Sequence, residues 1–446
     1  MDCRKHLNGS DLNMSKKNLL LTYCFPPFPG PESYLAAKLF SNMPNSDFDV
    51  ITIKPVKPWM SEENELFKYA SERISRIVQL GAPAWFRFIP LAKRDVVKAN
   101  SSPRIQKISK LFWATSRAGA IILKLPDPFR VFNNLVWKDI SRSARDYETI
   151  LTWSQYNSIS LVGLRIKKKL GNEIKWAAYF GDPWHLNPYI PLKGITKRLN
   201  QRMQNRVFSN ADLLLFPTQD MADFMTKEHG IEVKKKCKVL LHTFDAALYP
   251  QNPSARISKN YVLFKYIGQF YGARKPEIIT QGISTLIKRR PDLAEILRVE
   301  FVGSNTMENL DEKTIVDLPK GLVIHRQQVT YLESLGEMLS ADCLISLDAP
   351  AQRNIFLSAK LSDYVGARKP IVAITNEGAT ANLISEYGGW IANPDSPKEI
   401  ADAFEQAIAQ VLTNREADFG NAEIRAQMSA ENTSKHLLNL LLNIQV

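Results

Sequence analysis

Four cysteines in 446 residues, at positions 3, 24, 237 and 343, are too few and too scattered to staple a fold. None falls in a CxxC or in zinc-ligand spacing, so a disulfide scaffold and a structural zinc site are excluded. Cys24 and Cys343 stand in or beside apolar stretches, where a thiol serves as a small core residue, and a reduced, cytoplasmic setting is predicted. Histidine is scarce as well, and its six copies form no cluster with metal-ligand spacing. No run of 18 or more apolar residues occurs, so no membrane-spanning helix is predicted. The polar opening MDCRKHLNGSDLNMSKKN lacks the apolar core of a secretory signal, and residues 1–17 read as a flexible leader. Neither early strand is followed by G-x-G-x-x-G, and no G-x-x-x-x-G-K-[ST] is present, which speaks against a dinucleotide oxidoreductase or a P-loop protein.

What the chain does have is an uneven charge. Residues 1–250 carry 38 Lys+Arg against 22 Asp+Glu, a net +16; residues 251–446 carry 20 against 23, a net −3. A basic half beside a nearly neutral one points to an anionic partner for the first half. The basic residues lack the context of an RRM, KH or helix-turn-helix module, so nucleic acid is not the predicted partner.

Short apolar strands alternate with helical patterns. Strands are predicted at 18–23, 48–55, 149–153, 175–180, 212–216 and 237–242, and again at 261–267, 297–302, 322–326, 343–347 and 370–374. That alternation predicts parallel α/β sheets. The pattern breaks between Leu66 and Asn134, a basic, aromatic stretch read as a helical insertion of about residues 60–135. The Pro-, Asn- and Ser-rich residues 251–260 read as a linker. The fold class is therefore α/β, with two Rossmann-like domains at 18–250 and 261–412 facing a central cleft, followed by a helical tail at 413–446. Ser396, Pro397 and Glu399 predict a capped helix start.

Two constellations carry chemistry. In YVLFKYIGQFYGARKPEII a strand ends at Gly268, a loop carries Gln269, Arg274 and Lys275, and Pro276 opens a helix. Glycine allows close backbone approach, and a helix N-terminus with basic side chains suits a phosphate; taken alone, the segment also fits an ordinary strand–loop–helix turn. In LSAKLSDYVGARKPIVAI, residues 357–374, a short helix carries Lys360 and Asp363 ahead of a buried strand. A carboxylate there suits a neutral polyol.

Together these segments resemble the GT-B glycosyltransferases, in particular glycosyltransferase family 4 in its bacterial surface-polysaccharide form. The segment AKLSDYVGARKPIVA is similar to that family's SKLFEYLAAGKPVIA pattern. TYCFPPFPGPESYLAAKL, with Gly30, resembles its opening glycine loop; WAAYFGDPW, with Asp182, resembles its RDPW segment. DLLLFPTQDMADFM and HTFDAALYP extend the likeness through the first half, so it spans nearly the whole chain in order. Two departures stand out: Gln269 takes the place of the family's first Arg, and Ile355 stands where many members carry an acid eight residues before Asp363.

The resemblance implies a retaining, metal-independent hexosyltransferase that uses a nucleoside-diphosphate sugar as substrate and needs no cofactor. It places Arg274, Lys275 and Asp182 in catalysis. It places Gly30, Gly268, Gln269, Asn354, Ile355, Phe356, Leu357, Lys360 and Asp363, with Arg274 and Lys275, around the donor, Asp363 against the ribose. Asp182 suits a contact to an acceptor hydroxyl or the donor sugar, and equally a turn fixed by Pro183. Asp348 and Arg353 are further candidates for the sugar, and His185 reads as structural. The pair Asp47/Asp49 reads as a turn into a strand. A polyprenyl-diphosphate-linked saccharide would be the acceptor. The stretches 84–91 and 105–124, basic and aromatic, then suit an anionic membrane surface, with the enzyme peripheral on the inner face of the cytoplasmic membrane. A non-catalytic nucleotide-sugar-binding relative and a sugar-nucleotide epimerase on the same fold are the alternatives.

Overall fold

The computed structural model describes residues 17–44, 47–54, 64–81, 125–188, 191–251, 260–303, 318–415 and 417–445. The leader, most of the linker and residues 82–124 of the expected insertion lie outside the described residues. Among the described residues, thirteen strands form two parallel sheets. The first contains β1 (Lys17–Thr22), β2 (Phe48–Ile53), β3 (Arg76–Leu80), β4 (Tyr147–Ser154), β5 (Lys175–Phe180), β6 (Leu213–Phe216) and β7 (Cys237–Val239). The second contains β8 (Val262–Ile267), β9 (Leu297–Val302), β10 (Val323–Arg326), β11 (Cys343–Leu347), β12 (Ile371–Ile374) and β13 (Trp390–Ala392).

The central strands are buried on both faces, which is why they read as continuous apolar runs: β2 and β8 are buried at every position. The edges differ. β3 is only partly covered and mixes apolar residues with Arg76 and Gln79. It therefore hid inside the predicted helical insertion, although it pairs with β2 along five residues. Within the bounds expected for the insertion, the described residues form a helix at Asn64–Ser71 and this edge strand. β13 has three residues, too short for the apolar-run signature.

The strand orders place the site. The first sheet runs β3-β2-β1-β4-β5-β6-β7 and the second β10-β9-β8-β11-β12-β13. Each order reverses direction at one point, between β1 and β4 and between β8 and β11. Loops diverge there at the carboxyl ends of the strands and leave a crevice, the general ligand position of open α/β sheets.

The chain does not leave the first domain for good. The tail helix Ala430–Leu442 returns to the first domain, where Leu437 and Leu441 join Leu20, Leu35 and Phe40 in one apolar cluster. Ser434 donates to the Asn42 carbonyl at 2.8 Å. Burying two leucines contributes on the order of 3–6 kcal/mol, enough to bind the tail to its distant partner. The helix Pro397–Thr413 is capped as expected by Ser396, which accepts from the Glu399 amide at 3.2 Å. The Glu399 carboxylate, however, turns to the Asn393 amide at 3.1 Å instead of closing the box. Among the described residues no helix is long and apolar enough to cross a membrane.

Candidate functional site in the interdomain cleft

The switch point of the second sheet carries Gly268 after β8 and Asp348 after β11. Gly268 has φ 136°, a conformation that L side chains rarely adopt. A Cβ there would also collide with the Lys360 ammonium, so glycine leaves this spot to the cation. Lys360 lies 4.5 Å from the centroid of the Tyr266 ring. Burial and the neighbouring Arg274 charge bring its pKa down to about 7, opposed by Asp348. Arg274 points a guanidinium nitrogen at the Asp348 carboxylate, 3.9 Å away. Asp348 is itself buried and held by the Thr375 hydroxyl at 2.9 Å. Lys275 caps the helix Pro276–Arg289 from an exposed position. Of the two basic residues that the sequence left open, Arg274 is the one turned toward the cleft. Gln269 contributes its carbonyl to the Tyr266 hydroxyl at 3.1 Å.

The first domain supplies the opposite wall. Gly30, also at φ 136°, ends the loop after β1 and lets the helix Pro31–Phe40 begin. Glu32 lies in its first turn. Asp182 follows β5 and is held between Gly181 and Pro183. Glu32 Oε1 would lie 3.6 Å from a Cβ on Gly181, the residue before Asp182, and the two carboxyls are near enough for the Asp182 charge to act on Glu32. Burial and the Asp182 charge push Glu32 up to about 8. Burial also raises Asp182, opposed by Arg274 across the cleft. His185 stays structural: it is buried, with Nδ1 2.9 Å from the Gln204 side-chain oxygen.

Asp363 has partners that the sequence did not disclose. Its carboxylate accepts from Lys38 of the first domain at 2.7 Å and from Tyr331 at 3.2 and 3.3 Å. Lys38 and Asp363 are almost wholly buried, with side chains 1% and 5% exposed. Tyr34 stacks on Tyr331 with centroids 4.3 Å apart, and the Tyr249 hydroxyl donates to the Asp363 carbonyl at 2.6 Å. The carboxylate expected to meet the ribose is thus engaged in an interdomain ion pair. Lys360, three residues earlier on the same helix, meets the Tyr266 ring instead.

Residues 354–357 are also more internal than expected. The Asn354 amide donates to Glu377 at 2.7 Å, and the Phe356 amide donates to the Asn354 side chain at 3.2 Å. Ile355 and Leu357 are buried. Phe356 packs against the first-domain core. Two of the four backbone amides of this donor-side stretch are therefore engaged within the protein. Arg353 pairs with Asp220 of the first domain, which also accepts from Asn382 at 3.2 Å. Asp49 is structural, taking the Tyr147 hydroxyl at 2.9 Å.

Glu32 and Lys38 escaped the sequence reading. An acid in a first helical turn looks like an ordinary dipole partner, and a lysine in a helix looks like a solvated one. The one available signal was position: Glu32 stands two residues after Gly30 in the loop predicted to approach the donor.

Comparison with known proteins bears on the architecture. No family model matches the chain. A D-inositol 3-phosphate glycosyltransferase of Corynebacterium urealyticum is 24% identical over 258 residues, 53% of this chain. The match spans 58% of that relative's length, less than two thirds of it. Among solved structures, HepE of Anabaena in complex with UDP and glucose superposes with a TM-score of 0.61 at 13% identity, over 96% of this chain and 99% of that one. Sucrose-phosphate synthase from Thermosynechococcus elongatus does so with a TM-score of 0.61 at 13% identity, over 95% and 98%. Two parallel-sheet domains whose switch points face one cleft, shared along the full length with such structures, give this chain the GT-B fold.

Proposed function

We propose that the protein is a glycosyltransferase that moves a sugar from a nucleoside-diphosphate sugar to an acceptor hydroxyl. The observation that carries this reading is the Gly268–Arg274–Lys360 cluster at the switch point of the second sheet. When the glycosidic bond to the donor breaks, negative charge grows on the leaving diphosphate. Cations fixed in advance at that point stabilise the transition state without having to reorganise. Arg274 is held in place by Asp348, Lys360 by Gly268 and the Tyr266 face, and the helix beginning at Pro276 adds its N-terminal dipole. HepE, with the same fold, binds UDP and glucose. Asp363 serves the cluster indirectly, since the Lys38 ion pair anchors the helix from which Lys360 projects.

The finer reading is a retaining, metal-independent transfer to a lipid-linked saccharide at the cytoplasmic membrane surface. Support for a lipid-bearing partner lies on the first domain. A groove of about 550 Å³ is lined by Leu125, Leu199 and Met203 and rimmed by Arg130, Arg202 and Arg206. Ile195, on the same Gly194–Asn210 helix, is 64% exposed. Apolar surface edged with arginine suits an anionic lipid interface. Sedimentation with anionic liposomes that weakens as salt rises is the expected result; absence of binding at low salt would remove the membrane from the proposal.

A second reading has one observation behind it: buried Ile355 occupies the position of the expected first acid. That favours a protein that binds nucleotide sugars without turning them over. Incubation with UDP-glucose, UDP-galactose, UDP-N-acetylglucosamine and GDP-mannose separates the two. Transfer or slow hydrolysis supports the enzyme, binding without turnover supports the module, and binding of none rejects both.

A further inference from the structure

The carboxyl pair on the first-domain wall is used by nothing described so far. Glu32 stands at the carboxyl end of β1 and Asp182 at that of β5, so the topology alone brings them to one rim. One oxygen of Glu32 rests against Gly181; the other, Oε2, is buried and has no hydrogen-bond partner within the protein. A buried carboxyl oxygen left in that state is costly unless a ligand completes it. The groups around it are Asp182 from the β5 loop, Tyr179 on β5, Cys24 after β1, and Tyr156 just after β4. No cation is among these neighbours of Glu32. Arg274 acts on Asp182 instead.

That asymmetry decides the protonation of the pair. Two neighbouring carboxyls do not both ionise readily, and the one facing a cation ionises first. Asp182, opposite Arg274, is the carboxylate. Glu32, raised to about 8, keeps its proton at neutral pH. One carboxylic acid beside one carboxylate presents a donor and an acceptor with a single net charge, already balanced by Arg274. Such a pair matches a neutral group with both functions, the hydroxyls of a sugar, better than a cation. Position selects which sugar. In a nucleoside-diphosphate sugar the transferred ring is bonded to the terminal phosphate. With the diphosphate at Arg274, that ring is the part of the ligand lying next to Asp182.

We propose that Glu32 and Asp182 form one subsite that grips hydroxyls of the transferred sugar, Glu32 donating its O–H and Asp182 accepting. This rests on the nucleotide-sugar reading above. It adds a first-domain residue, Glu32, that sets preference for the sugar and not for the nucleotide.

The test compares each of UDP-glucose, UDP-galactose, UDP-N-acetylglucosamine and GDP-mannose with bare UDP or GDP by calorimetry on the full chain, at about pH 7 and about pH 9. The ratio of affinities isolates the sugar, because Lys360 faces the diphosphate common to both ligands. In the wild type, the advantage of the best nucleotide sugar over its bare nucleotide should fall about tenfold on going to the higher pH, as Glu32 ionises beside Asp182. Glu32→Gln cannot ionise and should keep its advantage at both pH values. Glu32→Ala should lack it at both while binding bare nucleotide normally, which also shows that the variant folds. A pH-independent advantage in the wild type, or a Glu32→Gln protein that loses it as the wild type does, overturns the subsite. Failure of every nucleotide and nucleotide sugar to bind would instead overturn the underlying functional reading, and the subsite with it.

Discussion

Twice in this molecule an acid of one domain faces a cation of the other, with opposite outcomes. At the back of the interface, Lys38 and Asp363 meet at 2.7 Å, sealed by Tyr34 and Tyr331. At the cleft, Asp182 and Arg274 sense each other's charge but form no ion pair, and Arg274 leans on Asp348 of its own domain. Where opposite charges satisfy each other in a dry setting, the result is a structural tie, and removing one partner strands the other. Where the cation is braced within its own domain, the space between the two can take a ligand carrying charge and hydroxyls. The difference teaches that an interdomain acid in this fold has to be judged by its partner, not by its place in a motif.

The strongest way to break this comparison is at the tie. Lys38→Ala should destabilise the protein by roughly 3–5 kcal/mol in denaturant unfolding, because Asp363 is left buried without its cation. The double change Lys38→Met with Asp363→Leu should recover much of that loss; a Lys38→Ala protein of wild-type stability would show that the pair is not a tie at all. Arg274→Ala should behave in the opposite way, with little change in unfolding but turnover of the nucleotide sugar down about a hundredfold or more. Lys275→Ala should leave turnover near the wild-type level, since that side chain is exposed, and equal losses in both variants would erase the distinction drawn between them.

Lys360 offers a subtler check. Its ordinary pKa is lowered to about 7 by burial and Arg274, so the free protein loses this charge as pH rises through neutrality. A bound diphosphate favours the charged form. Affinity for bare UDP or GDP should therefore be higher below that pKa than above it, and Lys360→Met should flatten the dependence. The smallest effect is expected at Arg353: its pair with Asp220 is largely exposed on the arginine side. Arg353→Ala should change stability by less than about 1 kcal/mol.

Much of the cleft's second-domain wall was legible in the sequence, because its signals are local. A glycine ending an apolar strand, a basic loop and a proline-opened helix lie within nine residues, from Gly268 to Pro276. The first-domain wall was legible only in part. Asp182 stood out between Gly181 and Pro183, whereas Glu32 has the chemistry of any acid in a first helical turn. Its significance comes from β1 and β5 ending on the same side of the sheet, with 150 residues of chain between Glu32 and Asp182. Asp363 was the reverse case, prominent in its motif yet tied to Lys38 from 325 residues away.

By itself, the sequence determined the two-sheet α/β class and the local order of strand, glycine, basic loop and helix from Val262 to Pro276. Those properties follow from burial periodicity and local backbone chemistry, which are written residue by residue. The tertiary structure alone decided which charges meet. It closed Lys38 on Asp363, turned Arg274 inward while leaving Lys275 outside, returned the tail helix to the first domain and set Glu32 beside Asp182. Coulombic and hydrogen-bond partners depend on distance in space, and in a doubly wound fold the order of strands in the sheet, not their order in the chain, sets that distance.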